Sequence, residues 1–323
     1  MEFFRYKKPI ALMAKAKYFG ILSLILVVAS WAIILTKGFN YGIDFAGGTV
    51  IQVKYNKTAP LKEIRAELAK VEKFNGASVT NFGSDQEIII RTKGSSSKVN
   101  KDIGAEVKKI LAPTGDVEIR RVDMVGPKIG DELRTKGINA TLFAILGILL
   151  YLTFRFEWRF ALASVIALIH DVSIAMGAIA LTGISFNLDT LAAILTILGY
   201  SLNDTIIVFD RIRESIVKSK TFNLFDLIDE SVTKTLSRTT LTSLTTFFVV
   251  LVLYLFGGEI LKGFSFTLLV GVVVGTYSSI FVASPVLRWL KFDIKDYKDK
   301  LAEKKKRELE KEKLRSQFEQ GIV

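Results

Sequence analysis

The chain has 323 residues, of which 50% are hydrophobic and 24% charged; its formal net charge is +12 and it has no cysteine. Lacking cysteine, it forms neither disulfides nor thiolate metal sites, and no Gly-x-x-x-x-Gly-Lys-Ser/Thr loop is present to cradle a nucleotide. Apolar runs near the ~20 residues that cross a bilayer core recur too often for a soluble protein, so the composition points to a polytopic α-helical membrane protein.

Residues 1–17 form a basic amino-terminal segment with Arg5, Lys7, Lys8, Lys15 and Lys17. The first transmembrane helix is expected at Tyr18–Thr36 (18–36); its run is too long for a signal-peptide core and lacks a small-x-small cleavage site. Residues 37–137 read as a small α+β domain. "FAGGTVIQVKY" is strand-like, with Val50, Gln52 and Lys54 alternating against Ile51, Val53 and Tyr55. "APLKEIRAELAKV" is an amphipathic helix with Leu61, Ile64, Leu68 and Val71 on one face. "ASVTNFG" and "QEIIIRT" are strands joined at Gly83–Asp85. "SKVNKDIGAEVKKIL" is a second helix with Val99, Ile103, Val107 and Ile110 or Leu111 inward, and "DVEIRRVDMV" is a last strand. The order βαββαβ is the ferredoxin-like arrangement.

Five further spans are expected within 138–290: Ile138–Phe154, Phe160–Thr182, Asp189–Phe209, Thr239–Phe256 and Phe264–Leu290. The first of these is short and borrows residues from "DELRTKG". Residues 210–238 read as a cytoplasmic loop, and 291–323 as a charged cytoplasmic tail. Lys and Arg near span ends set orientation. Arg155, Arg159, Arg211, Arg213, Lys218, Lys220, Lys234 and the tail "KDKLAEKKKRELEKEKLR" fall on the side of the basic amino terminus if the spans alternate, whereas "GISFN" carries no base and "GGEILKG" one. Both termini are therefore expected in the cytoplasm and residues 37–137 outside it.

Several polar residues interrupt the spans. In the fourth, Thr196, Tyr200 and Asp204 recur every four residues and share one face, with Asn203 beside the acid. In the fifth, Arg238, Thr242 and Thr245 or Thr246 make a second stripe. At ~1.5 Å rise per residue, Asp204 lies about 22 Å and Arg238 about 27 Å from the outer ends of their spans, toward the cytoplasmic side of a ~30 Å core. In the third span His170 and Asp171 are adjacent, so their side chains diverge by ~100° along the helix. In the sixth, Gly271 and Gly275 form a small-xxx-small pair suited to close helix packing. Each has a plainer reading. Asp204 can be a structural acid bonded to a neighbouring helix, Arg238 can snorkel to the surface, and His170 and Asp171 can be a helix–helix contact. A carboxylate in hydrocarbon is costly, however, and such acids mark ion pathways by default.

Five segments in this order, "NYGIDFAGGT", "RFEWRFA", "ALIHD", "GYSLNDTIIVFDRIRE" and "LSRTTLTSLTT", resemble the SecF family of the bacterial protein-export machinery, from Phe39 to about Leu290. That family resembles the RND transporter superfamily, in which each half supplies six spans and an extracytoplasmic domain. The resemblance therefore implies half of an RND-type transporter, with the other half, SecD, as a separate chain. It makes Asp204 the intramembrane acid and Arg238 the span-five arginine of a proton-coupling site that includes Asn203. Gly42, Asp44, Gly47 and Gly48 form the family motif after the first span. Implied partners are SecD, the SecYEG translocon and associated inner-membrane export components, unfolded secretory preproteins, protons and the lipid bilayer. No nucleic acid, cofactor or metal is implied, and no enzymatic activity. The implied location is the bacterial inner membrane, and the implied role is use of the proton-motive force with SecD to promote export. Two other readings remain open at this stage: a non-conducting scaffold of the translocon, with Asp204 and Arg238 a static pair, or an RND-like small-molecule exporter.

Overall fold

The computed structural model describes residues 8–92, 103–219, 221 and 223–319. A 3-10 turn at Met13–Lys15 leads into α1 (Ala16–Lys37), which stops where Gly38 adopts φ 70°. This helix is apolar all round. Tyr18, Leu24 and Leu35 point outward, while small Ser23 and Ser30 face the protein. Ser30 nests so closely on Gly177 that a Cβ there would come within 2.4 Å of it.

After α1 the chain forms a short helix, α2 (Ile43–Ala46), and only then β1 (Gly48–Tyr55). The strand thus begins later than expected from "FAGGTVIQVKY". Gly47 and Gly48 explain the break: their φ angles of 69° and 129° turn the chain out of the helix where a side chain would be strained. The domain continues through α3 (Leu61–Ala69), β2 (Ser78–Phe82), β3 (Ser84–Thr92), α4 (Ile103–Leu111) and β4 (Val117–Val125). The sheet order is β2-β3-β1-β4 with antiparallel neighbours, as in the split βαβ arrangement. Ile51, Val53 and Tyr55 of β1 turn inward, joined by Ile64 and Leu68 of α3, Ile88 and Ile90 of β3, and Val107 and Leu111 of α4. Leu61, Val71 and Ile110 are only partly buried at its margin. The Val99 expected on the second helix lies outside the described residues.

The bundle is made by α1 with α5 (Pro127–Arg155), α6 (Trp158–Thr182), α7 (Leu188–Lys218), α8 (Leu224–Phe256) and α9 (Gly258–Ser278). Six helical segments among the described residues are long and apolar enough to cross a membrane. α9 passes through a π turn at Ser279–Ala283 into α10 (Ser284–Trp289). Pro285 has no N–H to continue the α ladder, and beside it Ser284 Oγ donates to the Ser279 carbonyl at 3.0 Å. A last helix, α11 (Ile294–Glu319), carries the charged tail.

α5 starts at Pro127, so the helix takes in all of "DELRTKG", from which this span was expected to borrow residues. One boundary differs from expectation. Residues 210–238 are mostly helix rather than loop, because α7 runs to Lys218 and α8 starts at Leu224. Both extensions are amphipathic: Ile212 and Ile216 pack against Leu227, Ile228 and Val232 in the core at this end. Phe160 sits there edge-on to Phe209 and Phe292. α9 lies against α6, α7 and α8, and α1 covers α6.

The small domain is tied to the bundle through α2. Gly42 N–H donates to Phe186 O, and Phe186 N–H to Asn40 O, each at 2.8 Å. Asp44 Oδ2 accepts from the Leu188 N–H at 3.0 Å. That N–H opens α7, where a carboxylate also complements the positive end of the helix dipole. Asn187 completes the start with a capping box to Thr190.

Candidate functional site

The polar residues of the spans form two buried centres, both touching α7 and α9. In the first, Asp204 is 1% exposed. Its Oδ2 accepts from Ser243 Oγ of α8 at 3.0 Å, and Ser243 Oγ in turn accepts from Thr276 Oγ1 of α9 at 2.7 Å. Thr276 Oγ1 is also 2.8 Å from the Val272 carbonyl. A threonine hydroxyl has one proton, so it serves Ser243 or Val272 but not both fully.

The structure does not join Asp204 to Arg238. No ion pair or hydrogen bond links them among the described residues, and Arg238 is exposed. Thr242 is exposed beside it, and its hydroxyl turns back to the Arg238 and Thr239 carbonyls. The reason is helical phase. Ser231, Thr235, Thr239 and Ser243 recur every four residues, and this second hydroxyl stripe is the buried one. Both stripes are visible in "ESVTKTLSRTTLTSL"; the strict four-residue spacing of this one is the signal that identifies Ser243. The α7 stripe is graded: Thr196 is exposed, Tyr200 half-buried with its hydroxyl 3.4 Å from the Thr242 carbonyl, and Asp204 enclosed. Asn203 points to the exposed side, away from Asp204.

In the second centre, Asp171 of α6 is fully buried. It accepts from Ser201 Oγ at 2.5 Å, Ser278 Oγ at 2.7 Å and His170 Nδ1 at 2.8 Å. The adjacent side chains therefore meet despite their divergence along the helix. Ser201 and Ser278 were not singled out from sequence, because single serines in apolar helices carry no periodic signal.

Gly271 and Gly275 bring α9 onto α7: a Cβ at Gly271 would lie 2.2 Å from Ile197, and one at Gly275 3.0 Å from Ser201. The motif glycines are equally confined. A Cβ would lie 3.0 Å from Asn187 Cβ at Gly42, 2.8 Å from Pro127 Cα at Gly47 and 2.4 Å from the Thr92 carbonyl oxygen at Gly48.

An apolar six-span bundle, an inserted α+β domain docked on the start of α7, and acids set among hydroxyls define a polytopic membrane protein with an attached folded domain. Residues 106–293 match the family described as protein export membrane protein SecD/SecF, C-terminal, and residues 32–59 match the SecD/SecF GG motif. The SecF subunit of the protein translocase from Helicobacter pylori J99 is 48% identical over 323 residues, covering 100% of both chains. That of Vibrio alginolyticus is 44% identical over 285 residues, covering 88% of this chain and 90% of the relative. The crystal structure of SecDF, a translocon-associated membrane protein from Thermus thermophilus, superposes with a TM-score of 0.80 at 36% identity. The match covers 88% of this chain and 39% of that one, so this chain spans about two-fifths of SecDF. The chain belongs to the SecF family of protein translocase subunits. It is an accessory component of Sec protein translocation and crosses the membrane several times.

Proposed function

We propose that this chain works with SecD to couple the proton-motive force to export of unfolded preproteins through the SecYEG translocon. The observation that carries the reading is Asp204, enclosed between three helices and bonded to the neutral hydroxyl of Ser243, with that of Thr276 beside it. An ionised carboxylate accepts; a protonated one donates. When Asp204 takes a proton, the contact with Ser243 loses its charge assistance, and donation from the acid requires Ser243 to turn its own proton away. The Thr239 carbonyl one turn earlier is the habitual acceptor for such a hydroxyl. Ser243 then accepts from Asp204 and competes less well for Thr276, whose proton returns to Val272. Loading one proton thus loosens the link between α8 and α9. One charge crossing 100 mV supplies ~2.3 kcal/mol, more than a tenfold bias on a two-state bundle.

The exposed strip of Asn203, Arg238 and Thr242, with half-buried Tyr200 at its edge, is the face on which SecD is expected to pack. Arg238 then completes the site by facing a group of SecD rather than Asp204. Movement of α7 reaches the outer domain through Asp44 on the Leu188 N–H. The bacterial inner membrane is the expected location, with both termini in the cytoplasm and the 37–137 segment outside. The amino-terminal segment lies at the same end of the bundle as α11, as this orientation requires: Met13 N–H donates to Asp229 Oδ1 at 2.8 Å.

The test is export by inverted vesicles containing the assembled complex, with and without a proton gradient. Asp204→Asn is expected to abolish the gradient's stimulation while SecD still co-purifies. Unchanged stimulation in an assembled complex favours the scaffold reading.

A further inference from the structure

The second buried centre has no part in that cycle. Asp171 is fully buried and His170 is 6% exposed. Three donors converge on the carboxylate, from Ser201, Ser278 and His170 Nδ1. The other ring nitrogen, Nε2, is buried with no hydrogen-bond partner among the described residues. With Nδ1 donating to Asp171, Nε2 of the neutral ring is a bare acceptor, an expensive state for a buried polar atom.

No cation offsets Asp171 from the elements packed around it. α1 presents Phe19 and Ser23 near this level and has lysines only at its ends; α5 carries no charge between Gly137 and Phe154. α9 presents Tyr277, whose ring stacks on the imidazole at 6.1 Å. Its hydroxyl is engaged 2.8 Å from both Ser23 Oγ and the Phe19 carbonyl. α7 presents Ser201 and, one turn further on, Asp204. The π turn has no ionisable group, and Arg288 of α10 is held over the Phe225 ring. The pair thus carries an unbalanced negative charge in a low-dielectric interior whenever the imidazole is neutral, and one proton on Nε2 balances it.

We propose that His170 and Asp171 form a second proton-binding site, separate from Asp204, in which Nε2 takes up one proton while Nδ1–H stays on the Asp171 carboxylate. No covalent bond to carbon changes, and the pair passes from net negative to neutral. α9 reads the change through Ser278. Its single hydroxyl proton has two acceptors, Asp171 Oδ2 at 2.7 Å and the Gly275 carbonyl at 3.1 Å. An imidazolium draws on the carboxylate more strongly than an imidazole, and this weakens its hold on Ser278. Ser278 directly precedes the π turn Ser279–Ala283 and lies two residues from Thr276, which serves the Asp204 centre. π turns recur at functional positions of helices. One short stretch of α9 therefore senses both acids.

His170 is the only histidine of the chain, so it can be observed alone. The full chain, labelled with ¹⁵N,¹³C-histidine and assembled with unlabelled SecD in bilayers, is followed by solid-state NMR from pH 9 to pH 5. The expected result is conversion from a ring protonated at Nδ1 alone to one protonated at both nitrogens. Asp204→Asn is expected to leave that conversion in place, so this inference and the Asp204 role fail separately. Asp171→Asn is expected to remove the doubly protonated form. A ring that keeps a bare Nε2 at every pH in the assembled wild-type complex overturns the proposal. So does a conversion that persists unchanged in Asp171→Asn. If that variant does not assemble, the wild-type titration decides.

Discussion

Asp171 and Asp204 lie in one bundle, both closed to solvent, yet they are built in opposite ways. Asp171 is clamped by three donors on three helices, so its carboxylate is a fixed acceptor around which α6, α7 and α9 meet. Asp204 ends a chain of two hydroxyls, Ser243 and Thr276, the second of which has a competing carbonyl. The difference teaches that two equally buried acids can differ in how free their neighbours are to rearrange, which is what the proposed coupling at Asp204 requires. What matters is whether the neighbours have a second arrangement available when the charge disappears. Around Asp204 they have one at small cost; around Asp171 the reserve lies in the imidazole and in Ser278.

Mutations can break or sharpen this contrast. The largest expected effect is functional: Asp204→Asn reduces gradient-stimulated export more than tenfold, with stability changed by less than ~1 kcal/mol, because the amide keeps an acceptor for Ser243. Next is Asp171→Leu, which removes the shared acceptor of three buried donors, of which Ser278 keeps the Gly275 carbonyl. Each buried donor left without an acceptor costs roughly 1–3 kcal/mol, seen as a fall in the yield of monodisperse complex and in its thermal midpoint. If Asp171→Leu proves stable while Asp204→Asn unfolds the chain, the contrast is reversed. Gly271→Ala tests the shared α7–α9 contact on which both centres depend. Its Cβ would overlap Ile197 at 2.2 Å, and overpacking of this sort costs ~1–3 kcal/mol. Asp44→Ala removes the carboxylate at the start of α7, an effect of ~1 kcal/mol by analogy with lost caps, measurable as faster hydrogen exchange at Leu188. The smallest structural effect is expected for Arg238→Lys. An exposed side chain changes stability by less than ~0.5 kcal/mol, yet loss of the planar fork should still impair export if Arg238 faces SecD.

The apolar runs and the βαββαβ order were legible because each rests on a local period: ~20 apolar residues for a span, alternation for Ile51–Val53–Tyr55, and three-to-four spacing for Ile64 and Leu68. Helix ends were less so. "LFDLIDESVTK" is polar enough to read as a non-membrane segment, and only tertiary neighbours show that it continues α8 as amphipathic helix. The Ser243 contact of Asp204 was less legible for a related reason. Two stripes run along "SRTTLTSLTT", and charge drew attention to Arg238, whereas packing against α7 and α9 selects Ser243. The Asp171 clamp depends on Ser201 and Ser278, which converge only once α7 and α9 close on Gly271 and Gly275.

The most direct test of proton coupling at Asp204 is proton flux through the purified complex of this chain with SecD in sealed vesicles under an imposed membrane potential. The account predicts a flux in the wild type that falls to the level of empty vesicles in Asp204→Asn and recovers in part in Asp204→Glu. Equal flux in the wild type and Asp204→Asn, with both complexes intact, would contradict it.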